Sequence, residues 1–335
     1  MRKIFGGDEV FYIKKISSNL IDWIKNFDPD LVYAHFSCLN DILFIKQILD
    51  IKSSPLVVHL MDDFLQFQYK SGFFAPLLRI LWNRESTQIL RKASKRICIS
   101  DKMALFYKKK YKLDFVSYFN TIDCELWRDY PVNKHDKNGK FEIVYSGTIN
   151  NKNIKNLIAM SEIVEELNEI GQKVIFSIYT FPSRLEIFRR FFENKPSVTF
   201  SKVLEGNSLI PLLKNSDLLF LPVDFSKESV KKMKFSMFAK IPAYMISGSP
   251  ILVYGPSEVE AVEYAEKSSW AYVISEENKD KLKNALLKLI ADKRLRFELS
   301  QKAQNLAIKH HDSRKIREKF KAELCGVLNT NTGLS

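Results

Sequence analysis

The chain has 335 residues, with 52 Lys and Arg against 39 Asp and Glu, and therefore a formal charge of +13. This length suggests two domains of about 150 residues each. Hydrophobic residues make up 46% of the chain and charged residues 27%, with 11 Gly and 11 Pro, and this composition excludes disordered and fibrous proteins.

The apolar stretches of the sequence are short. The richest, Phe73 to Trp82, is interrupted by Pro76 and Arg79, whereas a membrane-spanning helix needs about 20 apolar residues. The segment from Met1 to Asp8 reaches an acidic residue before an apolar region can form, so we expect no secretory signal peptide. We therefore expect a cytoplasmic protein.

The first part of the chain alternates between predicted helices and strands. Apolar residues spaced three and four apart predict a helix that ends before Asp28. Further helices are predicted at 39–49, 74–92 and 102–111, the last with Ser100 or Asp101 as its cap. The predicted strands are 31–36, 55–60, 96–99 and 115–119.

A second series of elements begins after a polar segment, 130–140, that carries Pro and Gly and predicts a linker. Its predicted strands are 141–146, 174–179, 198–200, 218–221, 251–254 and 271–274. Short strands separated by helices indicate parallel sheets covered on both faces, and hence two doubly wound, Rossmann-like α/β domains. The expected ranges are 1–130 for the first domain, 131–140 for the linker, 141–310 for the second domain and 311–335 for a terminal helix and tail.

Ligands of such sheets bind at the carboxyl ends of strands, and the first candidate position is the turn at Gly147. Free N–H groups at the following helix start, together with Lys152, would suit a phosphate. The turn is neither a G-x-G-x-x-G nor a P-loop motif. A simple glycine turn with a solvated lysine is an equally good interpretation on local grounds.

The second candidate is a helix expected to begin near Ser236. Its N-terminus and the Ser236 hydroxyl would face an anion, and Lys240, one turn later, would lie on the same face. Gly248 is expected to end this helix and Pro250 to begin a strand. A purely structural helix-to-strand corner is the alternative.

The remaining candidates follow strands of the first domain. His59 can hydrogen-bond a sugar or phosphate, and Asp62 or Asp63 could orient it or cap the next helix. No histidine pair has zinc-ligand spacing and the four cysteines lack C-x-x-C spacing, so we expect no metal site. Asn120 follows the last strand, where a capped polar turn is as good an interpretation as a ligand contact.

The order of these segments resembles the retaining GT-B glycosyltransferases of the "group 1" (family 4-like) type, which build bacterial surface polysaccharides. The matching segments are Phe27 to His35, Ile97 to Ser100, Asn120 to Asp123, Tyr145 to Gly147 with Lys152, Ser216 to Pro222, and Lys240 to Met245 with Gly248 and Pro250.

The resemblance implies a GT-B fold in which the second domain binds a nucleotide-sugar donor and the first binds the acceptor. By this resemblance Gly147 and Lys152 hold the donor diphosphate, joined by Ser236 and Lys240. The expected catalytic residues are His59, which would face the transferred sugar, and Asp62. Asn120 is expected to line the acceptor side or the cleft. The reaction needs no metal and no cofactor, since the nucleoside-diphosphate sugar is a substrate.

Two departures from the family pattern affect these expectations. Many members carry two Glu where this sequence has Phe235 and Ala243. Members also open with an apolar strand and a glycine-rich loop, which Met1 to Asp8 does not match, and only four strands precede the linker. We therefore expect an incomplete first domain, with nucleotide binding but weak or no transfer. Transfer is expected to be restored if an in-frame upstream extension exists and is included.

The function implied is transfer of a hexosyl-type sugar to a lipid-linked or polysaccharide acceptor in synthesis of O-antigen, capsule or exopolysaccharide. The main alternative is a non-catalytic GT-B remnant that binds nucleotide or partner enzymes. A less favoured alternative is a sugar-nucleotide epimerase. Nucleic-acid binding is not expected, because Lys108 to Lys110 and Arg189 with Arg190 lie on separate predicted helices.

Aromatic and basic residues of the first domain suggest peripheral attachment to an anionic inner membrane surface. They lie in Phe73 to Trp82 with Arg84, and in Phe106 to Tyr111. Core helices with solvated lysine faces are the alternative interpretation of the same stretches.

Overall fold

The structure, a computed structural model, describes residues 15–131 and 139–332 and contains two compact units. Unit 1 comprises the described residues up to Phe119 together with those from Lys315 onward. Unit 2 comprises the described residues between Asn120 and Arg314.

Unit 1 is built on a sheet of four parallel strands, in the order β1-β2-β3-β4 among its described residues. The strands are β1 Val32–Ala34, β2 Leu56–Leu60, β3 Lys95–Cys98 and β4 Val116–Ser117. The helices between them are α1 Ser18–Phe27, α2 Leu39–Ile51, α3 Phe64–Phe67, α4 Ala75–Lys92 and α5 Asp101–Tyr111.

Local sequence explains where these elements begin. The Ser17 hydroxyl accepts the Leu20 N–H at 3.3 Å and caps α1, and the Ser100 hydroxyl accepts the Met103 N–H at 3.3 Å and caps α5. Strand β2 is buried along its whole length, as expected of a central strand covered on both faces. The predicted strands and longer helices of this part are therefore confirmed, although β4 is shorter than expected.

Unit 2 contains a parallel sheet in the order β10-β9-β8-β5-β6-β7. The strands are β5 Phe141–Ser146, β6 Val174–Thr180, β7 Val198–Lys202, β8 Leu218–Pro222, β9 Ile251–Tyr254 and β10 Tyr272–Ile274. The helices are α6 Cys124–Asp129, α7 Ile154–Glu169, α8 Pro182–Phe188, α9 Leu209–Asn215, α10 Lys227–Met233, α11 Ile241–Ile246, α12 Glu260–Ser268, α13 Lys279–Ala291 and α14 Lys293–His310. All six predicted strands are present, each within two residues of its expected ends.

The last helix, α15 Ser313–Thr332, begins in unit 2 and continues in unit 1. Within unit 1, Val327 of α15 is buried against Val57 and Ile97 of the sheet, with Phe320 packed on the same cluster. The helix therefore covers one face of the four-stranded sheet.

The division into units differs from the ranges expected from the sequence. Residues 120–129 belong to unit 2, where Ile122 forms a β-bridge with Asp312. The Lys214 ammonium donates to the carbonyls of Trp127 and Tyr130, each at 3.0 Å, and so anchors this segment ahead of the expected linker. The expectation about an opening strand concerns Met1 to Asp8, which lie outside the described residues. Among the helices that are described, none has both the length and the apolar content to cross a bilayer.

Candidate functional site

The turn after β5 is built around a glycine. Gly147 has a φ of 147°, which L side chains rarely adopt, and its N–H donates to the Tyr179 carbonyl at 2.9 Å. A Cβ at this position would collide with the Nζ of Lys240. The backbone conformation therefore favours glycine, and a side chain at this position would also have to displace the end of the Lys240 side chain.

Lys240 is held beneath this turn. Its Nζ donates to the Ser146 carbonyl at 2.8 Å and lies 4.3 Å from the centroid of the Tyr145 ring and 5.9 Å from that of Tyr244. Burial lowers the pKa of the Lys240 ammonium to about 7. A bound anion would raise this pKa again and hold the ammonium charged.

Two buried tyrosines support the turn, and sequence reasoning assigned neither a role. The Tyr244 hydroxyl accepts the Ser146 N–H at 3.0 Å. The Tyr145 hydroxyl donates to the Thr148 carbonyl at 2.8 Å. Burial raises the pKa of both tyrosines, so both stay neutral. In the sequence, these roles could have been inferred for Tyr244 from its spacing to Lys240, because residues four apart at the start of a helix lie on the same face.

Lys152 lies in the same loop but is exposed. Its N–H donates to the Asn150 side-chain oxygen at 2.8 Å, and the Asn150 N–H donates to the Asn153 side-chain oxygen at 2.9 Å. Its charge contributes to the lowered pKa of Glu228, after the larger effects of Lys232. The structure thus brings Gly147 and Lys240 into contact, whereas a phosphate-binding role for Lys152 remains a prediction.

The expected helix start near Ser236 is wrong. Helix α10 ends at Met233, an irregular segment follows, and α11 begins at Ile241 with Lys240 as its N-cap. The physical reason is Pro242, which lacks an N–H and fits only the first turn of a helix. Ser236 therefore does not present a helix N-terminus, and Lys240 does not lie one turn after it.

The end of α11 agrees with expectation. Gly248 has a φ of 81°, the left-handed conformation that ends helices, and Pro250 directly precedes β9. Phe235, upstream of α11, is 2% exposed, and Ala243, within α11, is 8% exposed. The two positions where many family members carry Glu are thus apolar and buried.

Asn120 lies in unit 2, beside the irregular segment. Its side-chain amide donates to the Met237 carbonyl at 2.9 Å, and its own carbonyl accepts from the His311 Nδ1 at 2.8 Å. Asp123 caps α6 by accepting the Leu126 N–H at 3.1 Å. The structure therefore places Asn120 against Met237 as part of a capped polar turn, and its acceptor-side role remains a prediction.

His59 in unit 1 has a different partner from the one expected. Its Nδ1 hydrogen-bonds the Tyr33 hydroxyl, and its Nε2 is buried with no hydrogen-bond partner among the described residues. Burial, aided by His35, lowers the pKa of His59 to about 4, so the ring is neutral at neutral pH. Asp62 is exposed, and Tyr33 rather than Asp62 orients the ring.

Asp63, not Asp62, is the N-cap residue of α3 and is buried. Its carboxylate accepts from the Tyr107 hydroxyl and from the Gln66 amide, the latter at 2.6 Å. Burial raises the pKa of Asp63 to about 6 against these hydrogen bonds. Across the described ranges, no group of three or more His, Cys, Asp or Glu is placed to hold a metal ion.

Each of the two α/β units contains a sheet of parallel strands, and together they give the chain the GT-B fold. This is the architecture of one large class of glycosyltransferases. HepE of Anabaena, solved with UDP and glucose, matches with a TM-score of 0.63 and 16% identity, over 92% of this chain and 82% of that one. The trehalose-6-phosphate synthase of Burkholderia multivorans matches with a TM-score of 0.67 and 11% identity, over 94% and 74%. TarM matches with a TM-score of 0.62 and 15% identity, over 94% of this chain and 59% of that one. No protein-family model matches the sequence, and no curated protein matches it either.

Proposed function

We propose that the chain is a retaining glycosyltransferase that moves a hexosyl sugar from a nucleoside diphosphate to a lipid-linked or polysaccharide acceptor. Its place would be the synthesis of cell-surface polysaccharide such as O-antigen, capsule or exopolysaccharide, in the cytoplasm at the inner face of the plasma membrane. Neither a metal nor a cofactor takes part in the proposed reaction.

One observation carries the proposal: the enclosed Lys240 ammonium beneath the Ser146–Gly147 turn, at the carboxyl end of β5 in a GT-B fold. Parallel α/β sheets bind ligands at this end of their strands. A cation already held in place costs little reorganisation when an anion arrives. HepE, which has the same fold, has been solved with UDP and with UDP-glucose.

The chemical difficulty in such a transfer is the negative charge that develops on the leaving diphosphate. Lys240 would stabilise this charge from beneath the turn, and Lys152 would add an exposed cation from the loop. We infer that retention follows from attack on the same face as departure, with the leaving phosphate accepting the acceptor's proton. The neutral His59 would donate from Nε2 to a sugar hydroxyl.

Donor binding and turnover test the proposal together. We expect UDP or another nucleoside diphosphate to bind in calorimetry, and transfer from a panel of nucleotide sugars to persist in EDTA with the anomeric configuration retained.

Lys152→Ala should lower kcat/KM by about 10- to 200-fold, the cost of one charge-assisted hydrogen bond in the transition state. Lys231→Ala, at an exposed lysine of α10, is the matched control. Unchanged kcat/KM in Lys152→Ala would remove that residue from the site, and loss of turnover in EDTA would contradict the metal-free reaction.

A second candidate is a non-catalytic remnant that binds nucleotide, and the buried Phe235 and Ala243 favour it. Without carboxylates at these positions, the donor loses two partners that many members of the resembled family provide. Nucleotide binding without turnover on any donor would support this candidate. Robust transfer by the chain would exclude it.

A further inference from the structure

The apolar stretch at the start of α4 has two faces in the structure. Ala75, Leu78 and Trp82 are buried in the core of unit 1, at 5%, 5% and 0% exposure. Phe73 and Ile80, by contrast, are 79% and 66% exposed. Packing within unit 1 therefore accounts for only half of this stretch.

The exposed residues form one stripe. At about 100° per residue, Leu77, Ile80, Arg84 and Arg91 of α4 project within about 60° of one another, opposite the buried face, and Phe73 lies exposed in the turn two residues before the helix. Leu77 is 55% exposed, the Arg84 side chain is 68% exposed, and Arg91 is also exposed. We call these five residues the α4 stripe; it is apolar at its start and cationic towards its end.

Arg79 interrupts the apolar stretch in the sequence, but its charged group is directed away from the stripe. Its guanidinium donates to the Gln68 carbonyl at 2.9 Å and to the Gln66 carbonyl at 3.3 Å. The exposed apolar residues of the stripe are therefore not separated by a charge.

Helix α5 differs from α4 in what it exposes. Its Tyr107 is fully buried, so the aromatic character expected from the sequence is turned inward. Its outer face instead carries Leu105, Lys108 and Lys109, beside Lys112 and Asp114 just after the helix, and the Lys108 ammonium pairs with Asp114 at 2.8 Å. Of the two stretches, α4 therefore has the apolar anchor and α5 only charge with a single leucine.

We propose that the α4 stripe binds the interface of an anionic lipid bilayer, with Phe73, Leu77 and Ile80 among the lipid chains and Arg84 and Arg91 at the phosphates. A helix with one apolar face and flanking cations lies in the plane of such an interface. Charge complementarity favours an anionic surface, since the stripe contains no acidic residue and the chain carries a charge of +13. The inference rests on the proposed function only in that a lipid-linked acceptor is found at such a surface.

The test is flotation of the full chain with phosphatidylcholine vesicles, with or without phosphatidylglycerol, at low and high salt and without donor or acceptor. We expect binding to the anionic vesicles that weakens with salt. The double variant Leu77→Ser/Ile80→Ser should bind at least about tenfold less, and Arg84→Gln/Arg91→Gln should lose most of the salt dependence. Phe297→Ser, which removes a 64% exposed apolar side chain of unit 2, should bind like the parent chain.

Because every altered side chain is exposed, circular dichroism should show that the variants fold. Absence of binding to anionic vesicles at low salt would overturn the proposal, as would full binding by Leu77→Ser/Ile80→Ser. Loss of binding in Lys109→Gln/Lys112→Gln alone would assign the surface to α5 instead. A dimer in light scattering that Leu77→Ser/Ile80→Ser dissociates, without vesicle binding, would assign the stripe to a second copy of the chain. The vesicle test does not measure glycosyl transfer. Its outcome is therefore independent of whether the proposed transferase activity is found.

Discussion

At the residue scale, the contact between Gly147 and Lys240 is the most specific feature of unit 2. Ninety-three positions separate the two residues in the sequence, yet the ammonium occupies the volume of the missing side chain. Such a contact couples the two positions energetically, because a change at either alters the space available to the other.

We predict that Gly147→Ala destabilises the chain by about 1 to 3 kcal/mol, through its backbone conformation and through the collision with Nζ. In a Lys240→Ala background the collision is absent, so the added cost of Gly147→Ala should fall by about 0.5 kcal/mol or more. Urea unfolding of the four chains measures this coupling. Strictly additive costs would show that Lys240 does not fill the space that a side chain at Gly147 would take.

The pair of Tyr33 and His59 is the corresponding feature of unit 1. The pKa of His59 falls from 6.5 to about 4 on folding, so the unfolded chain binds more protons between these values. The stability that this histidine contributes is therefore present above pH 6.5 and lost as the pH falls towards 4. The Tyr33 hydroxyl also favours the neutral ring when it donates to Nδ1.

We predict that Tyr33→Phe raises the pKa of His59 towards 6.5, because the neutral ring loses its donor. NMR titration of the histidine Cε1 protons measures the change, with His59→Gln to identify the resonance. Tyr118→Phe removes the hydroxyl of another tyrosine of unit 1 that packs on Phe320 and should leave the titration unchanged. An unchanged His59 titration in Tyr33→Phe would mean that burial and the neighbouring His35 set its protonation without Tyr33.

At the scale of elements, α15 is decisive for unit 1. A four-stranded sheet with Val57 and Ile97 on one face needs an apolar cover, and α15 supplies it from the far end of the chain. The ring of Phe320 lies 5.7 Å from Tyr33 and 5.4 Å from Tyr118, both edge-on. The same helix thus stabilises the sheet and contacts the tyrosine that orients His59.

We predict that Val327→Asp destabilises unit 1 by about 3 kcal/mol or more, because it buries a carboxylate without a partner. Hydrogen exchange should show lost protection in β2 and β3 and little change in β5 or β9. Lys321→Asp, at an exposed position of α15, is the control for the added charge. Equal loss of protection in both sheets would contradict separate stabilisation of the two units.

At the scale of the whole molecule, the charge of +13 favours anionic ligands before any specific contact forms. We predict that the affinity for UDP falls with increasing NaCl, because salt screens both the long-range attraction and the exposed Lys152. Binding of uridine, which lacks the phosphates, should be weak and nearly independent of salt. Calorimetric titrations with the two ligands compare these dependences, and equal salt dependence would exclude a phosphate contact.

Much of the architecture follows from local sequence patterns. Apolar periodicity, together with residues that end a helix or begin a strand, such as Gly248 and Pro250, was enough to predict ten strands in two series. The patterns work because a strand or helix is selected mainly by its own residues and by which of its faces must be buried. They fail where one residue sets a boundary: a helix start was expected near Ser236, but Pro242 fits only the first turn of a helix, and the helix begins at Ile241, five residues later.

The sequence by itself therefore determined the α/β alternation, the two parallel sheets and the polar positions at strand ends. Only the tertiary structure decided which of those positions meet. It placed Lys240 beneath Gly147 and left Lys152 exposed, bound His59 to Tyr33 rather than Asp62, and returned α15 to unit 1. The reason is physical: these contacts join residues distant in the chain, and their free energy depends on burial and space that no local pattern records.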